Sequence, residues 1–186
     1  MATLLTHPLI AVVALPWFKT QQHSKTILLI GTLLTILPDA DVIGFRYGIV
    51  YEHWLGHRGL SHSLFFAALF AAVLSLSTAR WLGTTRRSLG LFYFLCLASH
   101  GVLDALTNGG LGVAFFAPFN NQRYFFPVQP IDVATLSIQR FFTIEGLSVL
   151  KSELIYVWLP GLFLLSLRNI MVKTTSRLRP LRDEKP

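Results

Sequence analysis

The chain has 186 residues, of which 53% are hydrophobic and 13% are charged, and it carries a net charge of +7. This composition excludes an ordinary soluble domain and predicts an integral membrane protein. The basic residues lie beside apolar runs and in the final residues rather than on one soluble face. We therefore expect them to orient the chain in a bilayer, and we expect no nucleic-acid partner. No linker or repeat divides the sequence, which predicts a single membrane-embedded domain over residues 1–186.

Five apolar runs predict an all-α integral membrane bundle of about five spanning or partly inserted helices. In chain order the runs cover residues 4–18, 26–38, 60–79, 88–107 and 154–172. The third and fourth runs are close to the ~20 residues that cross a bilayer, so they are the clearest spans. The first two runs are shorter, and we expect short or partly inserted helices there. Pro160-Gly161 interrupts the fifth run.

The lysines and arginines predict how this bundle is oriented. If the linker 19–25, the loop 80–87 and the segment from Arg168 onward are cytoplasmic, that side carries eleven basic residues and the other side carries five. The five are Arg46, Arg58, Arg123, Arg140 and Lys151. The positive-inside rule then places the N-terminus outside and the basic tail, residues 173–186, in the cytoplasm.

Seven histidine and aspartate residues fall on the outer side of this predicted topology. They are His7, Asp39, Asp41, His57, His62, His100 and Asp104. Imidazoles and carboxylates at membrane depth are costly and usually functional, so we expect these residues to share one site. His23 belongs to the cytoplasmic linker and His53 to an interfacial loop, and neither is expected in the site.

Two motifs place pairs of these residues close together. His100 and Asp104 are four residues apart on a predicted helix, so they share one face. They can bind an ion together or act as ligand and orienting partner; the alternative is a polar seam between helices. Asp39 and Asp41 follow Pro38, where a helix must end, so their carboxylates can converge on a cation. The alternative for this pair is a solvated turn.

Residues 57–63 combine two histidines with an arginine. Gly59 permits an unusual backbone turn. Ser61 is a good N-cap for the next helix, which would put His62 at the positive end of that helix. The guanidinium of Arg58 can hold a phosphate through two parallel hydrogen bonds. The alternative is an interfacial anchor, in which Arg58 meets lipid headgroups and the histidines lie in water.

This set of donors suits metal-dependent hydrolysis. Nitrogen and oxygen donors without cysteine favour zinc, manganese or iron, and seven donors exceed one tetrahedral site, which indicates two or more ions. Bound divalent ions activate water and stabilise the oxygens of a phosphoester. Asp41 or Asp104 would take or orient a proton, and an arginine would stabilise the growing negative charge. The candidate arginines are Arg58 and Arg123. The alternative class is a non-catalytic metal-binding or transport protein.

Four motifs in combination resemble a known family. They are Thr6-His7, Leu37-Pro38-Asp39-x-Asp41, His57-Arg58-Gly59-x-Ser61-His62-Ser63 and His100-x-x-x-Asp104. Over roughly residues 1–130 the chain resembles the YdjM-like, LexA-regulated, membrane-bound metal-dependent hydrolases of the bacterial inner membrane. That family is distantly similar to zinc-dependent phospholipase C and P1 nuclease, which are all-helical hydrolases of phosphodiesters.

Together with the predicted topology, the resemblance implies hydrolysis of a phosphoester or phosphodiester bond at the outer face of the inner membrane, in a lipid or lipid-linked substrate. It implies metal ligands at His7, Asp39, His57 or His62, His100 and Asp104. The soluble relatives hold three zinc ions, but several of their histidines have no counterpart after Asp104 here. The resemblance therefore fits one, two or three ions.

The outer segment 109–152 is rich in phenylalanine and proline and follows the His100 helix directly. Aromatic side chains favour the headgroup layer of a membrane. We expect this segment either to cover the site as a partly inserted lid, which lines an entrance for an acyl chain, or to form an interfacial belt with no substrate role. As part of a lid, Arg123 would contact an anionic headgroup.

Overall fold

The computed structural model describes residues 2–18, 23–133 and 142–178, the last range with side chains to residue 175. Arg140 and residues 179–186 of the predicted basic tail lie outside the described residues. Over the described ranges the chain is helical and contains no β-strand, which confirms the predicted all-α class. Two isolated bridges, Thr107 to Ile131 and Val113 to Tyr124, are the β-type pairings in this part of the chain.

Within the described residues, six α-helices make up five rods, because two of the helices are joined end to end. They are α1 (His7–Ala14), α2 (Ser24–Ile36), α3 (Leu64–Thr78), α4 (Arg86–Ala105), α5 (Ile144–Glu153) and α6 (Leu159–Leu178). Short 3₁₀-helices extend α1 over Leu15–Trp17 and α2 over Leu37–Tyr47. A π-helix, Leu154–Trp158, joins α5 to α6.

Three of the rods are long and apolar enough to cross a membrane. They are Ser24–Tyr47, Arg86–Ala105 and Ile144–Thr175. The second apolar run, predicted to be short, is therefore longer than expected. Pro38 does end α2, but the chain continues as a 3₁₀-helix rather than as a loop. Pro160 does not break the last rod, which continues from the π-helix Leu154–Trp158 directly into α6.

The third apolar run, predicted as one of the clearest spans, is a helix of only 15 residues. Ser63 caps it, since the Ser63 hydroxyl accepts a hydrogen bond from Phe66 N at 3.0 Å. The prediction that Ser61 is the N-cap is therefore wrong. The Ser61 hydroxyl instead donates to Asp41 at 2.6 Å, and residues 60–62 form a 3₁₀ turn directed into the bundle. The helix starts late because these residues build the site.

The core lies among α2, α3 and α4. Alanines 67 and 71 of α3 and the rings of Phe92 and Tyr93 of α4 are all buried there. A Cβ atom at Gly31 of α2 would lie 2.6 Å from the Phe92 ring, so only glycine allows α2 and α4 to approach this closely. As a result, the C-terminal ends of α2 and α4 meet at one end of the bundle.

Candidate metal centre

Four buried side chains converge at this end of the bundle. They are Asp39 after α2, His62 before α3, and His100 and Asp104 on α4, and one donor atom of each lies within 4.8 Å of the others. His100 Nε2 is 3.2 Å from Asp39 Oδ1, and His62 Nε2 is 3.6 Å from Asp104 Oδ2. Ligands that lie ~2.0–2.2 Å from one tetrahedral zinc ion are about 3.3 Å apart. The spacing of these four groups, here called the inner group, thus fits one ion.

The atoms that face the centre of the inner group have no hydrogen-bond partner among the described residues. They are both oxygens of Asp39, Nε2 of His62, Nε2 of His100 and Oδ2 of Asp104. Leaving a polar atom buried and unpaired costs about 1–3 kcal/mol, and native proteins avoid it. Several such atoms around one point are therefore explained if a bound cation is their common partner.

Each histidine of the inner group is oriented by a partner on its other ring nitrogen. His100 Nδ1 donates to the carbonyl oxygen of Thr35, in the last turn of α2, at 2.7 Å. His62 Nδ1 lies 3.1 Å from Asp41 Oδ2. Partners of this kind fix the tautomer and the ring orientation of a metal-binding histidine. Both Nε2 atoms are consequently left to face the centre.

Asp41 is the centre of an outer group with His57 and His62. Its carboxylate lies 2.7 Å from His57 Nδ1 and also accepts hydrogen bonds from the Ser61 hydroxyl and from the Arg58 backbone N–H. Both oxygens of Asp41 are therefore engaged, in contrast to those of Asp39. The structure places His57 beside His62 but outside the inner group, so the two predicted histidines of this segment occupy different positions.

Arg58 is buried, with 1% of its surface exposed, and has a left-handed φ of 61°. Its Nε lies 3.0 Å from Asp104 Oδ2, Nη1 donates to Gly109 O and Nη2 donates to the Thr107 hydroxyl. The alternative of an anchor among lipid headgroups is therefore wrong. A φ in this region is costly for a residue other than glycine and persists only where neighbouring contacts enforce it. A phosphate-binding role for Arg58 stays a prediction.

His7 lies against the inner group without joining it. Its ring stacks on the ring of His100 with centroids 3.9 Å apart, and its Nε2 is 3.9 Å from Asp104 Oδ1. Both ring nitrogens are buried and lack a hydrogen-bond partner among the described residues. Its role as a ligand therefore stays a prediction. His23 and His53 are exposed and lie outside both groups, as expected.

Arg123 links the outer segment to the loop that contains Tyr51 and His57. Its guanidinium donates to the carbonyl oxygens of Tyr51 and His57 at 2.7 and 2.9 Å, and it lies over the Tyr51 ring. Burial lowers the pKa of this guanidinium below its ordinary value. The contacts hold the segment that carries His57 against the outer segment 109–133. Contact between Arg123 and a lipid headgroup stays a prediction.

Sequence reasoning missed several residues that support the site. Thr35 acts through its carbonyl oxygen, which leaves no trace in the residue type. Thr107 and Gly109 hold Arg58 from a loop whose path the sequence does not reveal. Sequence reasoning also passed over Glu153, which is buried at the end of α5; an acidic residue that borders an apolar run was the available signal.

Comparison with known proteins places the chain in a family. A sequence model described as YdjM inner membrane protein matches residues 1–177. The chain belongs to the YdjM inner membrane protein family. It is 36% identical over 167 residues to the inner membrane protein YbcI of Escherichia coli (strain K12), a match that covers 90% of this chain and 96% of that protein. No solved structure matches the chain.

Membership of the YdjM family confirms the resemblance drawn from the four motifs. The names of the family and of YbcI also agree with the apolar rods in placing this protein in the inner membrane.

Proposed function

We propose that this YdjM-family protein is a metal-dependent hydrolase that cleaves a phosphoester or phosphodiester bond in a lipid or lipid-linked substrate at the outer face of the inner membrane. The observation that carries the proposal is the set of buried nitrogen and oxygen atoms on Asp39, His62, His100 and Asp104 that make no hydrogen bond to the described residues. Their chemistry suits zinc, and manganese or iron accept the same donors.

Charge balance favours one ion in the inner group. Asp39, Asp41 and Asp104 bring three negative charges into the buried site, and Arg58 brings one positive charge. With neutral imidazoles, two negative charges remain, and one divalent cation neutralises them. Uncompensated charge is strongly unfavourable in a buried site, so a second ion would need further anionic ligands. The outer group then orients His62 instead of binding an ion of its own.

A divalent cation held by the inner group would supply an activated water and a positive charge for the oxygens of a phosphoester. Asp104 is fixed by Arg58, whose guanidinium keeps a positive charge at the edge of the site. Asp41 and Asp104 both lie beside His62, and one of these two carboxylates would take or orient the proton of the activated water. Asp41 orients His62, and Thr35 orients His100.

An apolar cavity next to the centre supports a lipid substrate. Its volume is about 370 Å³, and its lining is almost entirely aromatic or aliphatic. The lining residues are Leu64, Val102, Phe115, Phe116, Tyr124, Phe125 and Phe126. A Cβ atom at Gly101 would lie 3.4 Å from the Phe115 ring and 2.8 Å from the carbonyl oxygen of His62, so Gly101 packs between the lining of the cavity and the backbone of His62. An acyl chain fits such a lining.

A second candidate function is a non-catalytic metal site that stabilises the bundle. The complete burial of His100 and Asp104 favours it, because structural zinc sites have four protein ligands and no open position. The two candidates differ in one measurable respect. A structural site binds metal and hydrolyses nothing, whereas the proposed enzyme does both.

Metal analysis and lipid hydrolysis of the purified protein test the proposal. We expect about one zinc equivalent per chain, and phosphate-containing headgroup release from vesicles of phosphatidylethanolamine, phosphatidylglycerol or a lipid pyrophosphate. His100→Ala removes a donor of the inner group, so metal content and hydrolysis should fall together. His53→Ala is the matched control, since His53 is exposed and lies outside both groups.

Each contrary result has a defined meaning. Metal bound by the wild type without hydrolysis of any of these lipids would establish the structural alternative. Full metal content in His100→Ala would remove the inner group as the binding site.

A further inference from the structure

Glu153 is a buried carboxylic residue that the proposed chemistry does not use. It is the last residue of α5, only 1% of its surface is exposed, and it belongs to neither the inner nor the outer group. An acidic side chain inside a membrane bundle is costly and usually has a function. The partners of Glu153 indicate what that function is.

Among the described residues, the hydrogen bonds to the Glu153 carboxylate come from one short segment before α1. The backbone N–H and the hydroxyl of Thr3 both donate to its carboxylate, the hydroxyl at 2.7 Å. The hydroxyl of Thr6 donates to Glu153 Oε2 at 2.8 Å. Thr6 in turn accepts a hydrogen bond from Trp158 Nε1 at 2.9 Å. Two side chains of the last rod thus hold the segment that leads into α1.

The π-helix explains how Glu153 and Trp158 reach the same hydroxyl. In an α-helix, residues five apart point in directions about 140° from each other, because each residue turns the chain by about 100°. A π-helix closes its hydrogen bonds between residues five apart, so such residues lie nearly one above the other. Leu154–Trp158 has this form, which places Trp158 above Glu153 and both of them against Thr6.

The segment held by Glu153 touches the inner group at both of its ends. Thr6 is followed directly by His7, whose ring stacks on His100. At the other end, Ala2 N donates to Asp104 Oδ1 at 3.2 Å. Ala2, Thr6 and His7 are each completely buried, whereas Leu4 and Leu5 between them are exposed.

We infer that Glu153 is a positioning residue for the metal centre, which acts through Thr3 and Thr6 to press His7 and the Ala2 N–H against His100 and Asp104. This inference rests on the proposed metal centre. The four residues of the inner group lie on the first four helices and their connections. Through Glu153, the last rod would therefore also determine the arrangement of the site. Partners that orient metal ligands typically change metal affinity 10–100-fold when they are removed.

Cobalt(II) binding to the purified full chain in detergent tests the inference, because the visible absorption of the ion reports the arrangement of its ligands. Glu153→Gln keeps the shape of the side chain but replaces one carboxylate oxygen with an amide N–H₂, which cannot accept hydrogen bonds from Thr3 and Thr6. Thr6→Val removes the hydroxyl and keeps the volume of the side chain. We expect each variant to bind cobalt(II) about 10-fold more weakly and with an altered absorption spectrum. Thr6→Ser restores the hydroxyl and should behave like the wild type.

Ser152→Ala is the matched control. Ser152 adjoins Glu153 and is buried, but its hydroxyl bonds to Asp132 N and Val149 O, away from the segment before α1. We expect it to leave the cobalt(II) affinity and spectrum unchanged.

Two results would overturn the inference, and they are distinguishable. If Glu153→Gln and Thr6→Val lower thermal stability but keep the wild-type cobalt(II) affinity and spectrum, the contacts serve only the fold, and the metal centre stands. If the wild type itself binds no cobalt(II) or zinc, the metal centre fails and the positioning role fails with it.

Discussion

Asp41 lies beside the inner group, and its contacts fit an orienting role in the proposed metal centre. Both of its oxygens accept hydrogen bonds, and one of them lies 3.1 Å from His62 Nδ1. The carboxylate thereby turns the other nitrogen of His62 towards Asp39 and Asp104. The role of Asp41 is best described as orientation, although its position in a D-x-D motif suggests a ligand.

The variant Asp41→Asn separates orientation from catalysis. The amide keeps the size of the side chain but replaces one acceptor with a donor, so the hydrogen bonds that orient His57 and His62 cannot all form. We expect zinc affinity, measured by competition with a chelator, to fall 10–100-fold. Asp132→Asn is the control, because Asp132 accepts hydrogen bonds from Asn108 and Ser148 outside the centre. Unchanged zinc affinity with lost hydrolysis would instead make Asp41 a proton-transfer residue.

At the scale of elements, the inner group depends on how closely α2 approaches α4, since α2 leads into Asp39 and α4 carries His100. Gly31 permits that approach, because a Cβ atom there would lie 2.6 Å from the fully buried Phe92 ring. The thiol of Cys96, the single cysteine of the chain, is buried at the same contact and would lie 3.3 Å from that Cβ atom.

The variant Gly31→Ala should therefore separate the two helices. Overpacking costs about 1–3 kcal/mol, which exceeds the gain of up to about 1 kcal/mol in helix propensity. We expect the temperature at which Cys96 becomes reactive to a thiol dye to fall by about 2–4 °C for each kcal/mol of unfolding free energy lost. Gly44→Ala is the control, since its Cβ atom would lie at an ordinary 3.4 Å from Ile49. Equal transition temperatures for the two variants would contradict this account of the packing.

The sequence predicts the helices better than it predicts their ends. Each of the five rods contains an apolar run, but only three rods reach the length of a membrane span, and the last rod begins before its run. The start of α3 is different, since both Ser61 and Ser63 are good capping residues and only the position of Asp41 decides which hydroxyl is free to cap. The π-helix after Glu153 has no signature in the residue types.

At the scale of the whole molecule, the basic residues separate along the bundle axis. Lys25 lies in the first turn of α2, and Arg86 is the first residue of α4. Both residues therefore lie at the end of the bundle opposite the metal centre. Arg46 and Arg123 lie in the segments that surround the centre. We propose on this basis that the centre faces the outer side of the inner membrane, as the positive-inside rule favours.

Labelling of single cysteines in spheroplasts tests the orientation. Native Cys96 is completely buried and gives no background to a membrane-impermeant maleimide. We expect Glu52→Cys, at an exposed position beside the centre, to be labelled from outside, and Trp81→Cys, which is 63% exposed at the other end, to be protected until the membrane is opened. The reverse pattern would place the centre at the cytoplasmic face.

The sequence also predicts which side of the bundle carries the site, because each motif borders an apolar run at the same side. It does not divide the ligands into inner and outer groups. That division depends on which way each imidazole turns, and the partners responsible, such as Thr35 O and Asp41, lie 65 and 21 residues away from the rings they orient.

The distribution of the inner group along the chain has a consequence for biogenesis. Asp39 is available as soon as the second rod has left the ribosome, but the set is complete only when Asp104, at the far end of α4, has followed it. An ion in the proposed centre would therefore bind with useful affinity only after the first four helices are inserted and packed. Metal loading would then be a late step in the maturation of the protein.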